Sequence, residues 1–292
     1  MTGPILVFGK SGQVARALAE LGQARGRALI FAGRETLDLA DHGAIAALIA
    51  SIAPVAVINA AAYTAVDRAE TEADAAVALN RDAPAAMARA CAARGAPFIH
   101  FSTDYVFDGE GDRPYVETDP TGPTGVYGAS KLAGEQAVTA AGGAAITLRT
   151  AWVYGAHGQN FVKTMLRLAA DRDEVAVVAD QMGCPTWSRD DAEAALLAVD
   201  CLARDPGLAG VYHLTGAGET SWAGLAEAVF AESARRGGPT ARVRPITTAD
   251  YPTPARRPAN SRLNCNKIET TLPWRGRPWR DSLAACMTQM EL

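Results

Sequence analysis

The chain has 292 residues, 49% hydrophobic and 21% charged, with a formal net charge of −4. That length accommodates one large domain or two unequal ones with an ample core, and the mildly acidic balance without long charge runs gives no nucleic-acid footprint. Five scattered cysteines (Cys91, Cys184, Cys201, Cys265 and Cys286) lack CxxC spacing, and the N-terminal apolar run Pro4–Phe8 is too short for a leader or a membrane span, so a cytoplasmic chain with free thiols is expected.

Ile5–Phe8 reads as a buried strand. It flows into Gly9–Lys10–Ser11–Gly12–Gln13–Val14–Ala15 and then into an amphipathic segment to about Leu21. A glycine loop placed between strand and helix has the form of a dinucleotide-binding turn. Gly9 and Gly12 permit a tight bend and close approach of a pyrophosphate, Ala15 stands in the third glycine's place, and the helix N-terminus offers free N–H groups. The alternative is a structural turn without a ligand.

The second strand, Ala28–Phe31, ends in Ala32–Gly33–Arg34, with no acidic residue to hold the adenosine ribose. Gly33 leaves room for a 2′-phosphate and Arg34 supplies a cation, which favours NADPH over NADH; otherwise Arg34 is a solvated loop residue. Asp38 either accepts from the adenine amine or caps the helix at about His42–Ser51.

Val55–Ile58 is the next buried strand, followed at its C-terminal end by Asn59, Ala60, Ala61 and Ala62. Ligands sit outside this end of the strands in open parallel sheets, and three small residues let a cofactor lie against the backbone or simply pack closely. A long Ala-rich helix, roughly Glu72–Arg94, carries Asn80 in its interior. Strand Pro97–Phe101 leads to Thr103 and Asp104, where a hydroxyl at a strand end can orient a carbonyl oxygen. A turn-rich loop then delivers the chain to Tyr127–Gly128–Ala129–Ser130–Lys131. A spacing of four puts Tyr127 and Lys131 on one helical face, one turn apart. An ammonium there would favour the phenolate of a tyrosine that ordinarily titrates near ~10.

In the second half, strand Ala145–Leu148 precedes Trp152, which either stacks on a pyrimidine or sugar face or fills the core. A helix at about Phe161–Ala170, a strand at Val175–Val178, helices near Asp190–Leu202 and Trp222–Ala234, and a strand at Val211–Leu214 read as an α/β appendage. His213 takes a core or hydrogen-bonding role there. The Pro- and Arg-rich stretch Tyr251–Asn264 places Arg256 and Arg257 either on a pyrophosphate or in surface salt bridges. The expected architecture is α/β: a doubly wound parallel sheet (Rossmann) over residues 1–150 as the dinucleotide-binding domain. Residues 151–292 form mainly a smaller α/β substrate-binding domain, with a segment at about 175–202 returning to the first.

The runs GKSGQVA at 9–15, NAAAYTAVDRAE at 59–70, STDYVFDG at 102–109 and YGASKLAGE at 127–135 resemble the extended short-chain dehydrogenase/reductases. With RTAWVYG at 149–155, DQMGCPT at 180–186 and YPTPARRPANSRLN at 251–264, the resemblance narrows to the dTDP-4-dehydrorhamnose reductase family and covers nearly the whole chain. It implies NAD(P)H-dependent reduction of dTDP-4-dehydro-L-rhamnose to dTDP-L-rhamnose, the last step of that nucleotide sugar's synthesis. By the same resemblance Tyr127 is the proton donor, Lys131 its partner and a ribose ligand, and Thr103 the hydroxyl at the sugar carbonyl. Gly12, Gln13 and Val14 would hold the pyrophosphate, Asp38 and Leu39 the adenine side, and Ala60–Ala62 the rest of the cofactor. Thr103, Asp104 and Trp152 would contact the sugar nucleotide.

Dehydratases of the superfamily carry Asp–Glu after the threonine, whereas this chain has Asp104–Tyr105, which argues against elimination. A sugar-nucleotide epimerase and a non-catalytic nucleotide-binding regulatory subunit stay open as alternatives, the latter disfavoured by the complete Thr, Tyr and Lys set. Magnesium accompanies some members, but Asp281 and Glu291 make no carboxylate cluster near this C-terminus, so no metal is expected. No membrane or nucleic-acid partner is expected, and the chain would be a monomer or homodimer.

Overall fold

Short apolar runs bounded by turn residues form strands covered on both faces, as a parallel sheet requires. In the computed structural model, which describes residues 3–290, these are β1 (Ile5–Phe8), β2 (Leu29–Ala32), β3 (Ala56–Asn59), β4 (Phe98–Thr103) and β5 (Ala145–Thr150). Along β1, Ile5 and Val7 join one apolar cluster with Leu18, Leu21 and Ile58, while Leu6 and Phe8 join the opposite one with Ile45, Ile49 and Met87. The period of two therefore feeds two helical layers.

The six-stranded sheet runs Gly210–His213, β5, β4, β3, β1, β2, with every neighbouring pair parallel. This is the expected doubly wound sheet. Strand order reverses at β1, with β2 on one side and β3 to β5 on the other. At that switch point Ala60 N donates to the Phe8 carbonyl at 2.9 Å, so Gly9 and Ala60 leave the sheet side by side.

Several later segments differ from their expected places. Strand Gly210–His213, read as part of an appendage, extends the main sheet beside β5. A four-residue strand at a sheet edge carries no local mark of its partner, which is why the reading missed it. Helix Ser188–Arg204, in the segment expected to return at about 175–202, does cover the same sheet through Ala192, Ala195, Leu196 and Val199. Strand Glu174–Val178 pairs instead with Arg242–Ile246, outside that sheet. Another core gathers helices Phe161–Asp171, Trp222–Arg235 and Trp279–Gln289 around Val162, Val175, Val229 and Met287. The expected long helix at 72–94 is two helices, Ala73–Val77 and Ala83–Ala92, joined by a π-helical turn at Ala78–Asp82. Among the described residues no helix is long and apolar enough to cross a membrane, and the five cysteines are free thiols.

Helix Val126–Ala140 is fixed to β5 by a bidentate pair: Arg149 Nε lies 2.9 Å from Glu135 Oε1 and Nη2 2.7 Å from Oε2. Both side chains are at most 5% exposed, so each charge relies on the other to offset its desolvation. Glu135→Ala is expected to cost about 3–5 kcal/mol in urea unfolding, because it strands a buried guanidinium. A loss below about 1 kcal/mol would place the pair among ordinary surface bridges.

Candidate active site

Gly9 has φ +103°, and a Cβ there would stand 3.1 Å from the Ala60 carbonyl carbon and oxygen. Only glycine fits so crowded a left-handed position. Gly12 is the N-cap of helix Gln13–Ala24 and brings no side-chain cap, and the first turn holds no acid. The leading N–H groups of that helix thus have no intrahelical acceptor and face a rim made of backbone and small residues. Lys10 and Ser11 are exposed, while Gln13, Val14, Ala60, Ala61 and Ala62 are half-buried. Gln13 also ties the loop to the second half of the chain: its Oε1 accepts from Asn160 Nδ2 at 2.9 Å, and its Nε2 donates to Val153 O at 3.4 Å. Free N–H groups at a helix N-terminus beside small residues suit a dinucleotide pyrophosphate.

At the end of β2, Gly33 and the exposed Arg34 stand near Lys10, whose ammonium donates to Glu35 Oε1 at 2.6 Å. Asp38 does not cap the following helix. Asp41 does, its Oδ1 accepting from Ala44 N at 2.9 Å at the start of helix His42–Ile52. Asp38 accepts instead from Ala40 N at 2.9 Å in a tight turn and stays exposed, while Leu39 packs on the Ile45 cluster.

Register places Thr103 opposite Thr150 at the C-terminal rim of the sheet. Thr103 Oγ1 accepts from Tyr105 N at 3.3 Å and donates to Asp104 Oδ1 at 2.9 Å. Burial pushes the Tyr127 phenol above the ordinary tyrosine range; a hydrogen bond with Thr103 opposes this, and the charge of Asp104 adds to it. The phenol therefore keeps its proton at neutral pH. Lys131 is buried, with Nζ donating to Phe101 O at 2.6 Å. Burial lowers its pKa to about 8, against the pull of Glu135 one turn further along the helix. Asp104 is raised to about 6 by burial, against hydrogen bonds with Ser261 and Thr103.

Four residues that carry no site motif in the sequence set this geometry. Glu70 Oε1 accepts from Val126 N at 2.9 Å, capping the Tyr127 helix from another segment because Gly125 at the N-cap has no side chain. Asn80, in the π-turn, binds the Tyr63 backbone at 2.9 and 3.1 Å and donates to Ser130 Oγ at 3.0 Å. Ser130 in turn donates to Tyr127 O at 2.8 Å. Tyr105 meets the Tyr127 ring edge-on at 5.5 Å. Asn80 alone left a visible mark, as an amide inside an Ala-rich helix; π-turns of this kind gather at functional sites.

The family described as "RmlD substrate binding domain" matches residues 1–292. A dTDP-4-dehydrorhamnose reductase from Sinorhizobium fredii is 49% identical over 282 residues, 95% of this chain and 94% of that protein. The chain belongs to the dTDP-4-dehydrorhamnose reductase family. A crystal structure of the reductase of that name from Bacillus anthracis, in complex with NADP, is 32% identical with a TM-score of 0.91, covering 99% of this chain and 100% of that one. A UDP-glucose 4-epimerase from Brucella ovis, in complex with NAD, has a TM-score of 0.81 over 99% of this chain and 98% of that one; at 18% identity it shares the fold alone.

In this member of the family Trp152 has one face taken by another ring and the backbone of Gly183 close to its Cε2–Nε1 side. The indole stacks on Trp222 with centroids 3.6 Å apart and planes at 10°. Gly183 covers the other face: a Cβ on it would lie 2.3 Å from Cε2 and 2.6 and 2.7 Å from Nε1 and Cζ2, that is, above the ring. Arg256 pairs with the exposed Glu110 at 2.6 Å. Arg257 reaches Asp67 Oδ2 at 2.6 Å and the Tyr105 hydroxyl at 3.3 Å, so it alone of the two adjoins the tyrosines. Among the described residues no three His, Cys, Asp or Glu side chains gather as a metal would need; Glu291 lies outside those residues.

Gly128 packs so tightly that a Cβ would stand 2.2 Å from Tyr105 O. Gly128→Ala is expected to cost about 1–3 kcal/mol in urea unfolding by forcing the helix from that carbonyl. Unchanged stability would mean that the helix yields there without strain.

Proposed function

We propose that the chain reduces the 4-keto group of dTDP-4-dehydro-L-rhamnose to give dTDP-L-rhamnose, the last step of dTDP-rhamnose synthesis, with NADPH as its preferred reductant. The observation that carries this reading is a half-buried Tyr127 whose phenol keeps its proton, set beside the Thr103 hydroxyl at the rim of a small-residue dinucleotide cradle. NADPH, when bound, supplies the hydride. Gly9, Gly12, Gln13 and Val14 would hold its pyrophosphate, Asp38 and Leu39 its adenine side, Ala60–Ala62 the rest, and Lys131 the ribose. Arg34, with Lys10 at the same corner, would meet a 2′-phosphate; the missing acid at Gly33 and the NADP complex of the Bacillus anthracis relative support this choice. Residues 1–150, joined by helix Ser188–Arg204 and strand Gly210–His213, form the dinucleotide-binding part in this reading, and most of residues 151–292 cover the substrate.

Tyr127 gives its phenolic proton to the carbonyl oxygen as that oxygen gains charge, a transfer that holding the donor in place accelerates. Thr103, whose hydroxyl donates to Asp104 here, turns it to the same oxygen and fixes its direction. Asp104 and Trp152 contact the sugar nucleotide. Lys131 carries its charge next to the phenolate that remains and so limits the cost of forming it in a site that disfavours ions.

Keto-sugar-dependent oxidation of NADPH is the direct test. Tyr127→Phe is expected to lower turnover about 10²–10⁴-fold while NADPH still binds. Near-normal turnover would remove Tyr127 as donor, and a preparation carrying stoichiometric NAD⁺ and active without reductant would point to epimerisation. Lys131 is charged below its pKa and neutral above it, so kcat/KM should fall as pH rises through about 8. Because Glu135 holds that pKa up, Glu135→Gln should move the alkaline limb to lower pH. A limb that stays in place would detach it from Lys131.

A further inference from the structure

The stretch 255–262 comes late in the sequence, yet it lies along the loop that follows Thr103. Asn260 N donates to Gly109 O at 2.9 Å, and Tyr115 N donates to Arg262 O at 2.8 Å. Gly109, at φ +75°, has no Cβ to meet Pro258, which would stand 2.3 Å from one. Arg257 is thereby carried to the tyrosines, where Nη2 donates to Asp67 Oδ2 at 2.6 Å and Nη1 to the Tyr105 hydroxyl at 3.3 Å. Asp67 holds the stretch twice, since its Oδ1 also accepts from Ala255 N at 3.2 Å.

Tyr105 is in turn built into the rim. Its N–H donates to Thr103 Oγ1 at 3.3 Å, its carbonyl packs on Gly128, and its ring meets the Tyr127 ring edge-on at 5.5 Å. Burial raises the Tyr105 phenol above the ordinary tyrosine range, so it is a neutral hydroxyl that accepts from Arg257. The side chain is therefore fixed at its backbone end by the rim and at its far end by Arg257. The Arg257 and Asp67 side chains are 23% and 40% exposed, so their pair contributes little to stability. What it supplies is direction, a planar fork with one arm on a carboxylate and the other on a phenol.

We propose that Arg257, held by Asp67, is a positioning residue for the proton transfer: it pins the Tyr105 hydroxyl, and the Tyr105 ring then keeps the Tyr127 phenol in line with the substrate carbonyl. The proposal rests on the reductase reading above. A displaced proton donor costs rate and not affinity, because the proton moves only as the carbonyl oxygen gains charge. An Arg257 that bound the diphosphate would cost affinity instead. Arg257→Ala, Tyr105→Phe, the double variant and Asp67→Asn are compared with the wild-type chain. Three quantities are read for each: the single-turnover rate of NADPH oxidation by the keto-sugar nucleotide, calorimetric affinity for dTDP-L-rhamnose, and the midpoint of urea unfolding.

Arg257→Ala and Tyr105→Phe should each lower the single-turnover rate about tenfold, with dTDP-L-rhamnose affinity and the urea midpoint near wild type. Because both act through one hydrogen bond, the double variant should be no slower than the slower single, whereas independent effects would multiply to about a hundredfold. Multiplied losses, or a wild-type rate in Arg257→Ala whether or not dTDP-L-rhamnose binding weakens, overturn the proposal and leave the reductase reading intact. Should Arg257→Ala not fold, Asp67→Asn decides. A loss of rate that vanishes in the Tyr105→Phe background upholds the proposal, and no loss, or one that persists there, overturns it. A wild-type chain that shows no keto-sugar-dependent oxidation of NADPH ends the reductase reading and the proposal with it.

Discussion

A parallel sheet laid outward in both directions from β1 sends its connections to opposite faces, which leaves a crevice outside the C-terminal ends of β1 and β3. The rest of the site hangs on that gap. Gly9 and Ala60 flank it because Ala60 N donates to Phe8 O, and parallel register then sets Thr103 and Thr150 on the same rim. Every group that meets the cofactor in the proposed reaction is a few residues beyond the end of a strand, or on the helix that the Glu135–Arg149 pair clamps to the sheet. The sheet fixes positions to a precision that loops alone could not hold.

Low polarity explains the electrostatics of the rim with one cause. Burial raises the Tyr127 phenol and lowers the Lys131 ammonium, each toward its neutral form. For a reduction, the first shift keeps a proton on the donor. The second would weaken the support for the phenolate that follows, and Glu135 opposes it from one turn along the helix while also binding Arg149. The same carboxylate therefore serves both the stability of the fold and the charge of the lysine, which ties the two properties together at one residue.

What was legible in the sequence was local. The glycine loop, the alanines after β3, Thr103 and the Tyr127–Lys131 spacing each announce themselves within a few residues, and the structure brings them to one rim. Of the two roles open to Asp38 the cap falls away, because two acids three residues apart both precede a helix and only backbone geometry decides that Asp41 caps it. Strand Gly210–His213 hid its place because sheet partnership is a long-range property. Glu70 and Tyr105 lie inside conspicuous runs, yet their roles depend on packing between distant segments. The covered faces of Trp152 belong to the same class, since Gly183 and Trp222 say nothing of Trp152 until the chain has folded.

The two halves of the site are built by different means. The dinucleotide side rests on long-range parallel strands whose side chains are buried on both faces. The opposite side is assembled from two-residue strands, Val153–Tyr154 with Thr186–Trp187, and Met182–Gly183 between Thr220–Ser221 and Asn260–Ser261. Pieces so short have little backbone pairing to define them, so side-chain contacts such as the Trp152–Trp222 stack must supply the definition. The left-handed backbone of Trp152 is held in this way, by a ring and a glycine that lie outside the hydride and proton transfers. A UDP-glucose 4-epimerase at 18% identity shares the fold, and fold alone does not fix what a site binds.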